Sequence, residues 1–142
     1  PNKDSIFQKT GQVVFGGFGS TAQHSYFQLL HQGTGSVCAD VFSITDNKEK
    51  NKLLYAQSQA QSNLLANGAD AELQEFEKVN GNIPSNLFIL KSLNPHNFGY
   101  LIATWEHRTF LTSQMLQINP FDQYGVSAGK IFTKKYLEDH GG

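Results

Sequence analysis

The stretch that decides the fold, from Gln12 to Ile44, reads QVVFGGFGSTAQHSYFQLLHQGTGSVCADVFSI. Residues 12–15 form a β-branched and aromatic run that ends in the glycine-rich segment 16–19, which predicts a strand and a tight turn. Apolar side chains then recur at helical spacing over residues 21–32. Residues 37–44 are a second apolar run, of a length suited to a buried parallel strand. The stretch therefore predicts a strand, a turn, a helix and a second strand.

The remaining elements continue this alternation of strands and helices. Asp46 is placed to cap a long helix, and Asn94 followed by Pro95 is a typical helix start. The predicted helices cover about residues 48–67, 70–78, 95–116 and 123–138, and a third strand covers about residues 87–90.

Strands separated by helices indicate an α/β fold with right-handed crossovers between parallel strands. We expect a three-layer αβα fold with a small, mostly parallel sheet. Length and composition, 142 residues of which 39% are hydrophobic, suit one domain. A sheet of about three strands is small beside the usual mean of about five to six, so the domain is expected to be incomplete.

Charge and composition argue against nucleic acid and membranes as partners. The formal net charge is -1, and the eleven Lys and Arg residues are dispersed, so neither nucleic acid nor an anionic membrane is an expected partner. Apolar runs stay below the roughly 18 residues that a membrane-spanning helix needs. Cys38 is the single cysteine, which excludes an internal disulfide and fits a reducing compartment. We therefore expect a cytoplasmic protein.

The segment Gly17 to Ala22, GFGSTA, matches the G-x-G-x-x-A fingerprint of phosphate-binding turns. In a dinucleotide site its backbone N–H groups would approach a phosphate, and Asp40, roughly 20 residues on, would bind the ribose. Asp40 lies within an apolar run instead of at the carboxyl end of a strand, which counts against that site. A nucleotide- or sugar-phosphate-binding module using this turn is the alternative function.

Three further residues are candidates for chemistry. His24 is expected in the first helical turn after the glycine-rich turn, where the helix N-terminus favours a neutral imidazole that can transfer protons. Gln123 and Lys130 are seven residues apart, so one helix face would present both to a sugar hydroxyl or ring oxygen. The histidines lack the spacing of a metal site, so no metal is expected. Each candidate residue also has a simpler explanation, as a capping, packing or solvated side chain.

Two long segments of the chain resemble glucose-6-phosphate isomerases. Residues 16–33, GGFGSTAQHSYFQLLHQG, are similar to the segment around that family's catalytic histidine, and residues 113–130, SQMLQINPFDQYGVSAGK, are similar to its C-terminal signature. Residues 84–86 and 105–107 resemble family landmarks in the same order. The resemblance implies that residues 1–142 are the C-terminal part of the family's large domain, including its C-terminal helix.

The resemblance implies an enzyme that interconverts glucose 6-phosphate and fructose 6-phosphate without a cofactor, by ring opening and a cis-enediol intermediate. His24 matches the ring-opening histidine, which in a homodimer acts in the neighbouring subunit's site. Lys130 matches the lysine beside the ring oxygen, and Gln123 matches a glutamine that contacts the substrate.

The chain departs from the family pattern in two places. Ser127 stands where the signature usually has Glu, and the Met-Glu-Ser segment that carries the family's catalytic base does not occur. Pro1 stands where a natural start would be Met, so we expect a segment of a longer enzyme, inactive when isolated. A non-catalytic interaction domain that associates through an exposed sheet edge is a further alternative.

Overall fold

The computed structural model describes residues 11–69 and 74–141. They fall into two compact units, residues 11–98 (the first unit) and residues 99–141 (the second unit). Each unit is described below by itself.

A two-stranded parallel sheet is the centre of the first unit. Strand β1 covers Ala39–Ile44 and strand β2 covers Ser85–Leu90, and they pair in register from Ala39 opposite Ser85 to Ile44 opposite Leu90. The register places Phe42 opposite Phe88, and their rings stack at 5.1 Å between centroids. The predicted α/β class and the small parallel sheet are confirmed.

Three helices accompany this sheet: α1 (Gly19–Ala22), α2 (Phe27–Gln32) and α3 (Lys52–Asn67). Parallel strands need a long crossover, and α3 lies in the connection between β1 and β2 and packs on both strands. Buried apolar side chains in the described part of this unit are Ala22, Leu30 and Leu65, one from each helix. The Ser58 hydroxyl of α3 also donates to the buried Ser43 hydroxyl of β1 at 2.9 Å.

The strand predicted at residues 12–15 is wrong. These residues have no strand or helix assignment, and Val13 and Val14 are each 88% exposed. A strand exists only with a neighbour that satisfies its N–H and C=O groups. Among the described residues, none pairs with this segment in a ladder.

The helix predicted over residues 21–32 is broken into α1 and α2 by a turn at residues 23–26. The backbone N–H groups of His24 and Ser25 bond three residues back, to Thr21 and Ala22, at 3.1 and 3.0 Å. The Ser25 hydroxyl also donates to the Ala22 carbonyl at 3.0 Å. Such local side-chain bonds compete with the regular helical pattern, which explains the break.

Two further boundaries differ from the sequence prediction. Helix α3 begins at Lys52 after Asn51, so Asp46 lies in the preceding turn and is not the cap. Of the acidic helix predicted at 70–78, residues 70–73 lie outside the described residues, and Glu75–Glu77 form one 3₁₀ turn.

Two long helices follow: α4 covers Pro95–Leu116 and α5 covers Tyr124–His140. The predicted start of α4 is confirmed, because the Asn94 side chain accepts a bond from the Asn97 N–H at 2.9 Å. The second unit begins within α4, at Gly99, and α5 has no buried residue. Among the described residues, no helix is long and apolar enough to cross a membrane.

Candidate active site

The glycine-rich turn leads directly into α1. The Phe18 carbonyl accepts bonds from the Thr21 and Ala22 N–H groups at 3.0 and 2.8 Å, which closes the first turn of the helix. A side chain at Gly17 would meet the Tyr26 hydroxyl at 3.4 Å, so the turn folds back against Tyr26. The Tyr26 ring in turn meets Phe15 edge-on at 5.1 Å.

His24 is exposed and lies in the turn between α1 and α2. Its Nε2 atom is 3.3 Å from the Gln23 side-chain nitrogen, which donates if the ring proton is on Nδ1. The expectation that His24 occupies the first turn of a long helix is wrong, because α1 ends at Ala22. The argument from a helix N-terminus therefore does not apply to His24.

The structure removes two supports of the dinucleotide interpretation. No strand precedes the glycine-rich turn among the described residues, and α1 has four residues. Asp40 lies at the amino end of β1, where its carboxylate accepts a bond from the Asn86 amide at 2.8 Å. A ribose-binding acid belongs at the carboxyl end of a strand.

Gln123 lies at the start of α5, and Lys130 lies in the second turn of that helix. Gln123 occupies the N-cap position, and its side chain makes no capping bond. Two helical turns separate it from Lys130, so both lie on one face of α5, and both are exposed. A side chain added at Gly125 or Gly129 would meet nothing within 4 Å, so the α5 surface beside Lys130 is open.

The predicted site residues are divided between the two units. His24 belongs to the first unit, and Gln123 and Lys130 belong to the second. Within the second unit, Gln123 and Lys130 are seven residues apart, which is about 10 Å along a helix, so each would contact a different part of a polar ligand. Among the described residues, His, Cys, Asp and Glu form no group that could hold a metal ion.

Sequence reasoning missed a groove at the carboxyl end of β1. It has a volume of about 320 Å³, and its walls include Phe18 of the glycine-rich turn, Ile44, and Asp46 with Asn51 after the strand. Ligands of open α/β sheets bind at this end of the strands. The sequence signal that could have indicated this groove is the set of polar residues directly after the predicted strand, such as Asp46.

The chain is similar to isomerases over most of its length. A family profile described as phosphoglucose isomerase matches residues 2–141. Glucose-6-phosphate isomerase of Acinetobacter venetianus is 36% identical, over 94% of this chain and 28% of that protein. The Acinetobacter baumannii enzyme is 40% identical, over 90% of this chain and 27% of that protein.

A solved structure agrees with these sequence matches. The crystal structure of a glucose-6-phosphate isomerase from Chlamydia trachomatis superposes with a TM-score of 0.76 at 33% identity, covering 84% of this chain and 25% of that one. The α/β fold of this chain is thus one found in a sugar-phosphate isomerase. The chain belongs to the phosphoglucose isomerase family, and it spans about 28% of the length of the curated relative from Acinetobacter venetianus.

Proposed function

We propose that this chain is the C-terminal segment of an enzyme that interconverts glucose 6-phosphate and fructose 6-phosphate, in glycolysis and gluconeogenesis. The observation that carries the proposal is the family match over residues 2–141, which includes both segments that contain the candidate residues. The whole fold would be the family's three-layer αβα arrangement, with residues 1–142 as the C-terminal part of its large domain.

Ring opening assigns a role to His24. To open a pyranose ring, one proton must reach the ring oxygen and another must leave the anomeric hydroxyl. An imidazole transfers protons near neutral pH, and the exposed ring of His24 is accessible to a sugar. The likeness of residues 16–33 to the family's histidine segment supports this assignment. In the proposed homodimer, His24 would act in the neighbouring subunit's site.

Lys130 and Gln123 are proposed to bind the same sugar. An ammonium group beside the ring oxygen stabilises negative charge there as the ring opens. The Gln123 amide, free of any capping bond, is available to a sugar hydroxyl on the same face of α5. The mechanism needs no cofactor, and the cytoplasm is the proposed location.

The 142-residue chain alone is expected to have no measurable isomerase activity. A positioned base must take a proton from the carbon next to the sugar carbonyl and return it to the carbonyl carbon, and the Met-Glu-Ser segment that supplies this base in the family does not occur in this sequence. Loss of a general base alone typically lowers a rate by about 10² to 10⁴. A coupled glucose 6-phosphate assay tests this expectation, with a mock purification to exclude host enzyme. Turnover by the purified chain would contradict it.

The roles of His24 and Lys130 are tested in the intact parent enzyme. His24→Ala should lower turnover of cyclic substrate by about 10² to 10⁴, the range of acid–base loss, while proton exchange on an open-chain analogue falls far less. Lys130→Ala should show the same asymmetry. Equal losses on both substrates would mean that these residues position the sugar or the fold and do not open the ring.

A further inference from the structure

The turn that carries His24 depends on the helices at its two ends. Ala22, at the end of α1, is buried at 3% exposure, and Leu30 in α2 is buried at 8% exposure. The contact between His24 and Gln23 is internal to the turn, so it does not tie the imidazole to the rest of the unit. The docking of α1 and α2 therefore determines where His24 lies.

A side-chain bond joins α2 to α3. The His31 Nε2 atom lies 3.0 Å from the Gln61 Oε1 atom, across 30 residues of sequence and in a partly buried setting. An amide oxygen accepts only, so the imidazole donates and its ring proton is on Nε2. The bond holds α2 against α3 at His31, while the Gln32 side-chain amide holds the end of α2 by donating to the Phe76 and Lys78 carbonyls at 3.1 and 2.7 Å.

The other ring nitrogen of His31 has a cost in free energy. Its Nδ1 atom is buried and has no hydrogen-bond partner among the described residues. Burying an unsatisfied polar atom costs free energy, which an apolar side chain of similar size would avoid. What the imidazole supplies in return is a directional bond to α3.

Aromatic contacts connect His31 to the turn. Its ring lies 5.9 Å from the Phe27 ring, and Phe27 stacks on Tyr26 at 5.7 Å. Tyr26 is the last residue of the turn that holds His24. A rotation of α2 that broke the bond to Gln61 would therefore be transmitted through these rings to His24.

We infer that His31 is a positioning residue, which holds the His24 turn in place for ring opening through its bond to Gln61. The inference rests on the proposed role of His24. A displacement of about 1 Å at a reacting group can lower a rate by about 10²-fold, so loss of this bond should matter to the reaction.

The test uses the intact parent enzyme. His31→Leu and Gln61→Leu should each lower kcat on cyclic glucose 6-phosphate by about 10- to 100-fold, leave KM within about twofold, and leave proton exchange on an open-chain analogue nearly unchanged. His31→Gln keeps a donor near the Nε2 position and should restore most of kcat. The double variant should lose no more than one single variant, because both remove the same bond. His96→Leu makes the same change at an exposed histidine of α4 and should have no effect.

Several results would overturn the inference. The first is full kcat in the Leu variants. The others are equal losses on the two substrates and additive losses in the double variant. Circular dichroism checks folding, and if His31→Leu is unfolded, Gln61→Leu alone decides the matter. His24→Ala is measured in parallel. If His24→Ala shows the asymmetry and the Leu variants do not, the positioning role of His31 alone fails. If His24→Ala shows none, the proposed ring-opening role of His24 fails, and the positioning role with it.

Discussion

Leu65 offers a direct test of where the core of the first unit lies. Its side chain is fully buried, whereas Leu53 on the same helix is 70% exposed. Replacing a buried leucine with alanine removes its transfer free energy and leaves a cavity, at a cost of about 2.7 to 5.0 kcal/mol in well-packed cores. The core of the first unit is small, so its neighbours can partly close the cavity. We therefore expect Leu65→Ala to cost about 3 kcal/mol.

Leu53→Ala is the matched control, because it makes the same chemical change in α3. Exposed substitutions usually lie within about 0.5 kcal/mol of neutral, and alanine is at least as good a helix former as leucine. In thermal unfolding of the 142-residue chain followed by circular dichroism, Leu65→Ala should lower Tm by about 10 °C and Leu53→Ala by less than about 2 °C. Equal shifts in the two variants would refute the assignment of Leu65 to the core.

Two further predictions concern the backbone, and both are measured by the same unfolding experiment. Gly68 ends α3 at a φ of 71°, and an added Cβ would clash with the Val79 carbonyl oxygen, so Gly68→Ala should cost about 1 to 3 kcal/mol. Gly99 lies inside α4 with open space around it, so Gly99→Ala should instead stabilise by about 0.5 to 1 kcal/mol, and a loss there would contradict the reasoning. Asn94→Ala removes the cap of α4 and should cost about 1 kcal/mol, whereas Asn94→Asp should keep most of it; equal losses would show that the cap contributes little.

Elements with local signals at both ends were predicted well from the sequence. Helix α4 begins at Pro95 and ends at Leu116, as Asn94 before it and Pro120 after it indicate. The same holds in part for β1 and β2, whose apolar runs marked their places along the chain. Capping and proline effects act within a few residues, so the sequence carries them without knowledge of the rest of the molecule.

For the candidate site, too, the sequence identified the residues but not all of their surroundings. Patterns within short windows, supported by the family resemblance, selected His24, Gln123 and Lys130. They could not show that a turn separates α1 from α2, because the Ser25 hydroxyl bond that favours the break depends on the geometry the chain adopts. The expected environment of His24 was therefore wrong, but His24 remains the proposed ring-opening residue.

What the sequence determined by itself is the family, the α/β class and the helices whose ends are marked by local residues. Tertiary structure decided the rest. Residues 12–15 have the composition of a strand, but a strand forms only where another strand satisfies its backbone groups. The bond between His31 and Gln61 likewise joins residues 30 positions apart, and no local pattern predicts it. Pairing and docking depend on which distant segments meet, and only the folded chain fixes that.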